Sequence, residues 1–491
     1  MVCKFSFISP LKVSPRARLT FILLIFSAML IVSGCGSTTP KLSGNTSVVI
    51  LATSTANDQL SEVYGVMNTL TLTSESGNTV SLLADPLGVE FIHVNGAAQP
   101  LSTVSVPQDV YTSATVTLGG GSFYCLALDP NGDIDGNWYS YGSVPASDLT
   151  VSLSSPITVT GTGMGLVLNL LVSKSATWTT CTPNGIEPFT ITPNFSLTAQ
   201  VLPVPTANEA YGKLNGLAGL ISSVDAGGNG VIVDAAVYGV GQRWQASFNA
   251  ETVFEGVSGS RELVAGLPVN MDVAIQADGT LVATRVAVAD TDTTNLTVWD
   301  GPVLQVNGSD STMFMFGRQQ IGPILVGGAA LVQFGSSSFA ISRQLNNLAA
   351  LPFPASFTAS NMVAGQSIEA TLHNAQFPGG PSFLLPAATV TLLPQTVDGT
   401  IQSVSTSGAF TIYTVTLAPY DNFPEFAVQP AVQTTLLKNP NTVVVYVDAS
   451  TERLNTTTLA AGSVARFNGL VFNDNGTLRM DCVQMNDGVA P

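Results

Sequence analysis

From Val48 onward apolar and polar residues alternate with a period of two, and no stretch of helical periodicity outlasts a few turns. Such a chain can build strands with one face in a core and one in water, and little else. Residues 68–73, 89–94, 110–118, 157–160 and 166–172 read as strands of this kind, separated by clusters of Gly, Pro, Asn and Asp. Along 110–118 the expected core face carries Val110, Ala114, Val116 and Leu118, with Ser and Thr on the other. The spacing of the turns is that of a β-sandwich.

The second half of the chain repeats itself. Gly219-Leu-Ile-Ser-Ser-Val-Asp, Gly301-Pro-Val-Leu-Gln-Val-Asn and Gly399-Thr-Ile-Gln-Ser-Val-Ser each open a strand at a glycine. Later in each unit come Val264-Ala-Gly-Leu-Pro-Val, Val363-Ala-Gly-Gln-Ser-Ile and Ala460-Ala-Gly-Ser-Val-Ala, so that Gly266, Gly365 and Gly462 recur at spacings of 99 and 97 residues. Asp278-Gly and Asn475-Gly mark hairpins in the first and third units, because Gly and Asn tolerate positive φ. Gly379-Gly-Pro-Ser departs from that hairpin in the second. The two prolines of Leu202-Pro-Val-Pro-Thr-Ala-Asn stiffen a boundary before the repeats. The expected division is therefore a sandwich over 48–205 and three units over 212–290, 297–394 and 397–487.

At the N-terminus Lys4, Lys12, Arg16 and Arg18 precede an apolar run over 19–32, which is shorter than the roughly 20 residues of a spanning helix. The run ends in Leu30-Ile-Val-Ser-Gly-Cys-Gly36, which resembles the lipobox of bacterial lipoproteins. That resemblance implies a signal peptide over 1–34 and lipidation of Cys35, and the Gly-, Ser-, Thr- and Asn-rich stretch over 35–47 reads as a flexible tether. Gly36, rather than Asp, follows the cysteine, which favours the outer membrane within the cell envelope. Removing the four basic leader residues leaves 16 − 4 = 12 Lys and Arg against 32 Asp and Glu, a mature charge of 12 − 32 = −20. Nucleic acid is an unsuitable partner for so acidic a surface, since binding phosphates takes a basic one. Roughly 450 mature residues suggest three or four domains.

Two further resemblances follow. The β-rich start, Pro107-Gln-Asp-Val-Tyr-Thr-Ser-Ala-Thr-Val-Thr-Leu, Ile157-Thr-Val-Thr-Gly-Thr-Gly-Met-Gly-Leu and Phe189-Thr-Ile-Thr-Pro-Asn-Phe resemble the bacterial lipoprotein family termed domain of unknown function 4382. The chain has Ser54-Thr-Ala-Asn and Asp109 where that family has Asp-Ala-Pro and Gly. The repeats resemble a second family, domain of unknown function 5666. Together these imply an all-β chain: an N-terminal transthyretin- or immunoglobulin-like sandwich followed by three small OB-like β-barrels. Neither supplies catalytic residues.

Candidate chemistry is sparse. Cys125 and Cys181 share the expected sandwich and are expected to form a disulfide in an oxidising compartment, while Cys482 reads as a buried small hydrophobe. In Asp129-Pro-Asn-Gly-Asp-Ile-Asp-Gly the oxygens of Asp129, Asn131, Asp133 and Asp135 could converge on calcium, resembling the first half of an EF-hand loop. Gly142 stands where the bidentate Glu belongs, and a solvated turn is the competing reading. Trp138, Tyr139 and Tyr141 could stack on a sugar or fill a strand's core face. With only His93 and His373, and no G-x-S-x-G elbow, a Ser-His-Asp site has little material. The expectation is a lipid-anchored structural or binding protein of the envelope, without enzymatic activity, whose partner is an envelope protein or glycan. A calcium-stabilised carbohydrate-binding module is the alternative, and a carboxylate-dependent glycosidase the distant one.

Overall fold

The computed structural model describes residues 42–54, 60–92, 94, 97–126, 139–175, 190–208, 212–214, 216–237, 240–321, 329–342, 348–373, 384–418, 421–427, 437–454 and 459–487. The fold is all-β, 62% strand and 4% helix, in several sheets, three of them barrel-like. No helix among the described residues is long and apolar enough to cross a membrane.

Thirteen strands form the N-terminal sheet: β1 (Asn45–Ser54), β2 (Leu60–Ser74), β3 (Thr79–Ser81), β4 (Leu87–Glu90), β5 (Ala97–Pro107), β6 (Val110–Leu126), β7 (Tyr139–Val144), β8 (Ser147–Leu153), β9 (Ile157–Thr158), β10 (Gly163–Leu170), β11 (Phe195–Gln200), β12 (Ala207–Asn208) and β13 (Gly212–Leu214). One part holds β5, β1, β10 and β11, the other β2, β4, β6 and β8, and a parallel pairing of β8 with β11 joins them. Ile50, Leu168 and Phe195 from the first part meet Leu70, Val116 and Phe123 from the second in one core.

Several local expectations differ from the structure; the strand expected over 157–160 is shortened to Ile157–Thr158. The strand expected over 89–94 stops at Glu90, because Glu90 Oε1 accepts the N–H groups of Val63 (3.0 Å) and Ile92 (2.9 Å) and turns the chain. The strand expected over 166–172 ends at Leu170, and a single helical turn, Val172–Ser175, follows. In β6 Ala114, Val116 and Leu118 are buried as their alternation requires, but Tyr111 replaces Val110 in the core. A register shift opposite Thr73 and Ser74 inserts one residue and exchanges the faces.

β1 departs from the half-buried pattern altogether. Val48, Ile50 and Ala52 belong to the N-terminal core, while Val49 and Leu51 belong to the next core along the chain. A strand covered on both sides needs a continuous apolar run, and Val48-Val-Ile-Leu-Ala is one.

The remaining strands make three rings of one design. The first contains β14 (Leu217–Val224), β15 (Gly230–Val237), β16 (Val240–Ser247), β17 (Val253–Glu255), β18 (Pro268–Ile275) and β19 (Leu281–Val288). The second contains β20 (Leu296–Asn307), β21 (Thr312–Phe316), β22 (Gln319–Ile321), β23 (Ala329–Gln333), β24 (Ser338–Ile341), β25 (Ser367–His373) and β26 (Leu384–Leu392). The third contains β27 (Gln395–Ser407), β28 (Phe410–Leu417), β29 (Thr442–Val447), β30 (Glu452–Leu454), β31 (Val464–Asp474) and β32 (Thr477–Asp487). Each closes as a five-strand ring, β14-β15-β16-β19-β18, β20-β21-β23-β26-β25 and β27-β28-β29-β32-β31; in the second, β22 is an extra strand on β20, so β23 takes the third place. The third and last strands run parallel, and a short strand (β17, β24 or β30) lies parallel on the last. Closure removes the free edges that would otherwise pair with other chains.

The recurring glycines explain why the repeat survives sequence drift. Gly266, Gly365 and Gly462 have φ of 92°, 95° and 90°, a region that side-chain-bearing residues rarely enter. Each N–H donates at 2.8 Å to the first strand of its barrel, at Ile221, Val303 and Ile401 respectively. At the strand openings, a Cβ on Gly219, Gly301 or Gly399 would lie 2.5, 1.7 or 2.2 Å from a carbonyl oxygen of the neighbouring strand.

The cores show how the modules join. Val49, Leu51, Ala98 and Val167 of the N-terminal sheet share one cluster with Leu217, Val233, Trp244 and Met271 of the first barrel. Trp244 Nε1 donates to Pro100 O (2.9 Å) and Gln242 Nε2 to Gly88 O (2.8 Å). The proline-bearing segment before the repeats is part of this joint, since Val204 is buried and exchanges backbone bonds with Ile275. Likewise Trp299, Phe353 and Leu385 of the second barrel cluster with Phe410, Tyr446 and Phe472 of the third. Gln366 Nε2 there donates to Val471 O (2.9 Å) and Gln395 Nε2 to Gly365 O (2.9 Å). Between the first and second barrels lies a smaller patch of Ala218, Val298 and Ile321, flanked by Ala289 and Leu296. At about 1.5–3 kcal/mol for each large buried aliphatic side chain, that patch contributes only a few kcal/mol.

Candidate functional site

Repeated topology gives repeated positions, and one of them carries unusual chemistry. Ala218, Asp300 and Asp398 each precede the opening glycine of a barrel, and Asn270, Glu369 and Arg466 each lie four residues beyond the turn glycine. The register makes each set direct cross-strand partners: Ala218 with Asn270, Asp300 with Glu369, Asp398 with Arg466. In the third barrel the pair is ionic, with Arg466 Nε 2.8 Å from Asp398 Oδ1 and both side chains buried. In the second barrel two carboxylates occupy the same place.

Asp300 is only 9% exposed, and its Oδ1 is buried without a hydrogen-bond partner. It lines a small cleft with Glu369, Val298, Gln320 and Ile321 of its own barrel and Ala218, Val269, Asn270 and Ala289 of the first. The cleft has about 10 Å³ of free space, room for about one water molecule. Asn270 Oδ1 is also buried without a partner. Burial, reinforced by Glu369, raises the Asp300 carboxyl well above the ordinary carboxylate range. Burial likewise pushes Glu369 up to about 7, against the opposing pull of the Arg285 guanidinium. Two adjacent carboxylates away from water cannot both stay charged without a neutralising partner. Arg285 serves only in part, since its Nε is 2.8 Å from Asp272 and its Nη1 3.2 Å from Glu255. The arrangement favours a protonated carboxyl over two adjacent buried charges.

At the other end of the same strand pair sits His373, opposite Leu296. Its Nε2 is 3.2 Å from Asp290 Oδ2 and its Nδ1 3.3 Å from Thr294 O. Burial alone would lower its pKa, but the Thr294 carbonyl and the Asp290 and Asp292 carboxylates outweigh it and hold the imidazole above its usual value. With both ring nitrogens engaged, neither is free to activate a hydroxyl.

A third group of acids lies in the third barrel. Asp421 accepts the N–H groups of Asp398 (3.2 Å) and Phe423 (3.3 Å) at the start of a short helix, Asn422–Ala427. Burial, with Asp398 beside it, raises it to about 8. Asp481 is raised by burial to about 6.

Most of the residues singled out from sequence fall elsewhere. Cys35, Asp129, Asn131, Asp133, Asp135, Trp138, Cys181 and His93 lie outside the described residues. Cys125 is on β6, paired in register with Ser140, and Tyr139 and Tyr141 are on β7, opposite Leu126 and Tyr124. Cys482 is a free, buried thiol in the third barrel, donating to Gln484 O (3.2 Å), with burial raising its pKa. Among the described residues no group of three or more His, Cys, Asp or Glu side chains converges as a metal site. Asp300, Glu369, Asp398 and Arg466 were not anticipated. The signal lay in the repeat itself, because aligning the three units on their glycines puts Ala, Asp, Asp in one column and Asn, Glu, Arg in another.

The chain matches no protein-family model and no curated protein.

Proposed function

We propose that this is a lipid-anchored structural or binding protein of the bacterial envelope, held at the outer membrane through Cys35, with no catalytic role. The observation that carries this reading is Leu30-Ile-Val-Ser-Gly-Cys-Gly36 behind a basic, apolar leader. Several acyl chains anchor stably, since each buried methylene contributes about 0.8 kcal/mol. Five-membered rings with a parallel third and last strand support an OB-like assignment for the repeats, in keeping with their resemblance to domain of unknown function 5666. A fold of this kind does not by itself fix a function.

Detergent-phase partitioning and lipid labelling test the anchor. Cys35→Ala should move the protein to the aqueous phase and abolish labelling. Unchanged partitioning and labelling would rule the reading out.

A further inference from the structure

The molecule has two firmly packed halves. One is the N-terminal sheet with the first barrel, sharing a core; the other is the second barrel with the third, sharing another. The joint between the halves is the small patch around Ala218, Val298 and Ile321. Both ends of the face that the second barrel presents there are titratable. Asp300 and Glu369 face each other at one end, and His373 reaches back to Asp290, on the segment joining the barrels, at the other.

We propose that this junction is the hinge of the molecule and that protons latch it: the Asp300–Glu369 and His373–Asp290 pairs hold the halves together in acid and release them as the pH rises.

The sign follows from geometry. Separating the barrels returns Asp300 and Glu369 to water, where both ionise freely, so the closed state binds more protons than the open one and acid favours it. His373 acts in the same sense, because only the imidazolium donates to Asp290 and Thr294 at once. For Glu369 the closed-state advantage is complete below the ordinary range near 4.5 and is lost as the pH climbs to about 7. The histidine's advantage is lost above its ordinary value near 6.5. The other charged groups around the junction are Arg285 with Asp272 and Glu255, Asp292 on the connecting segment, Arg318 beside β22, and Asp234 with Arg243 on β15 and β16. Arg285, Asp272 and Glu255 already pair among themselves, and so do Asp234 and Arg243. The repeat shows what a junction without a latch would carry, since the first barrel has Ala218 and Asn270 at the equivalent positions and the third has Asp398 and Arg466.

The test is amide hydrogen exchange on the full chain at pH 5 and pH 8, corrected for intrinsic rates, with small-angle scattering in parallel. Between these values, opening at 217–220, 296–301 and 367–373 should increase by up to about tenfold per pH unit for each proton released, while exchange in β1 and β10 of the N-terminal core stays constant. Asp300→Ala with Glu369→Asn transplants the first barrel's pair, and Glu369→Arg the third's; each should flatten most of the pH dependence, and His373→Gln the remainder. Far-UV circular dichroism and protected β31 and β32 amides establish that each variant is folded. Equal junction protection at both pH values in the wild type, or wild-type pH dependence in folded variants of both transplants, would overturn the proposal. So would closure at pH 8 brought about by millimolar calcium and reversed by chelator, which would make a metal ion the neutralising partner.

Discussion

Single atoms decide much at the residue scale. Gly317 lies against Trp299, and a Cβ there would be 1.3 Å from the buried indole Nε1. Gly317→Ala should therefore cost at least about 1–3 kcal/mol, the range for overpacked cores, read as a lower denaturation midpoint in urea. An unchanged midpoint would mean that the second barrel's core yields more than its packing implies. Asp421 gives a different signature. Its carboxyl, raised to about 8, is protonated at neutral pH and must ionise in place as the pH rises. The stability it lends is complete below about 3.8 and lost on the way to about 8. Asp421→Asn, which cannot ionise, should thus lose stability relative to the wild type at pH 5 and recover ground by pH 9. A difference independent of pH would show that the wild-type acid does not titrate there.

Among the elements, the three turn glycines are a controlled comparison. At Gly266 and Gly462 an added Cβ meets nothing within 4 Å, so alanine pays only for positive φ, about 1–3 kcal/mol. At Gly365 the same Cβ would also lie 2.5 Å from Phe423 Cδ1 and 3.0 Å from Phe423 Cα. Gly365→Ala should be the most destabilising of the three in equilibrium unfolding, and equal costs would refute the assigned role of Phe423. The turns themselves were legible in sequence because positive φ selects a residue type. Asn475 and Gly476, at 51° and 87°, form the two-residue hairpin that Asn-Gly announces. Strand ends were less legible. Glu90 ends β4 by turning its carboxylate onto nearby backbone, which alternation does not register.

Over the whole molecule, Glu369 near 7, Asp421 near 8 and Asp481 near 6 all shift in one direction. Each raised carboxyl favours the folded chain in acid, and the benefit fades between about pH 4 and 8. The lowered acids Asp234, Glu262, Asp278, Asp292 and Asp448 are more exposed and solvent-screened, so they offset little of this. The urea midpoint should consequently be higher at pH 5 than at pH 8, and the reverse order would contradict the raised carboxyls as a group. Sequence alone determined that this chain is all-β and that its second half repeats, since alternation and obligatory glycines are local demands of the backbone. Only the tertiary structure decided that β1 is buried on both faces, that the first barrel shares a core with the N-terminal sheet, and that Asp300 and Glu369 meet. Those outcomes depend on which surfaces face one another, and a carboxylate's chemistry depends on what shields it from water more than on its neighbours in the chain.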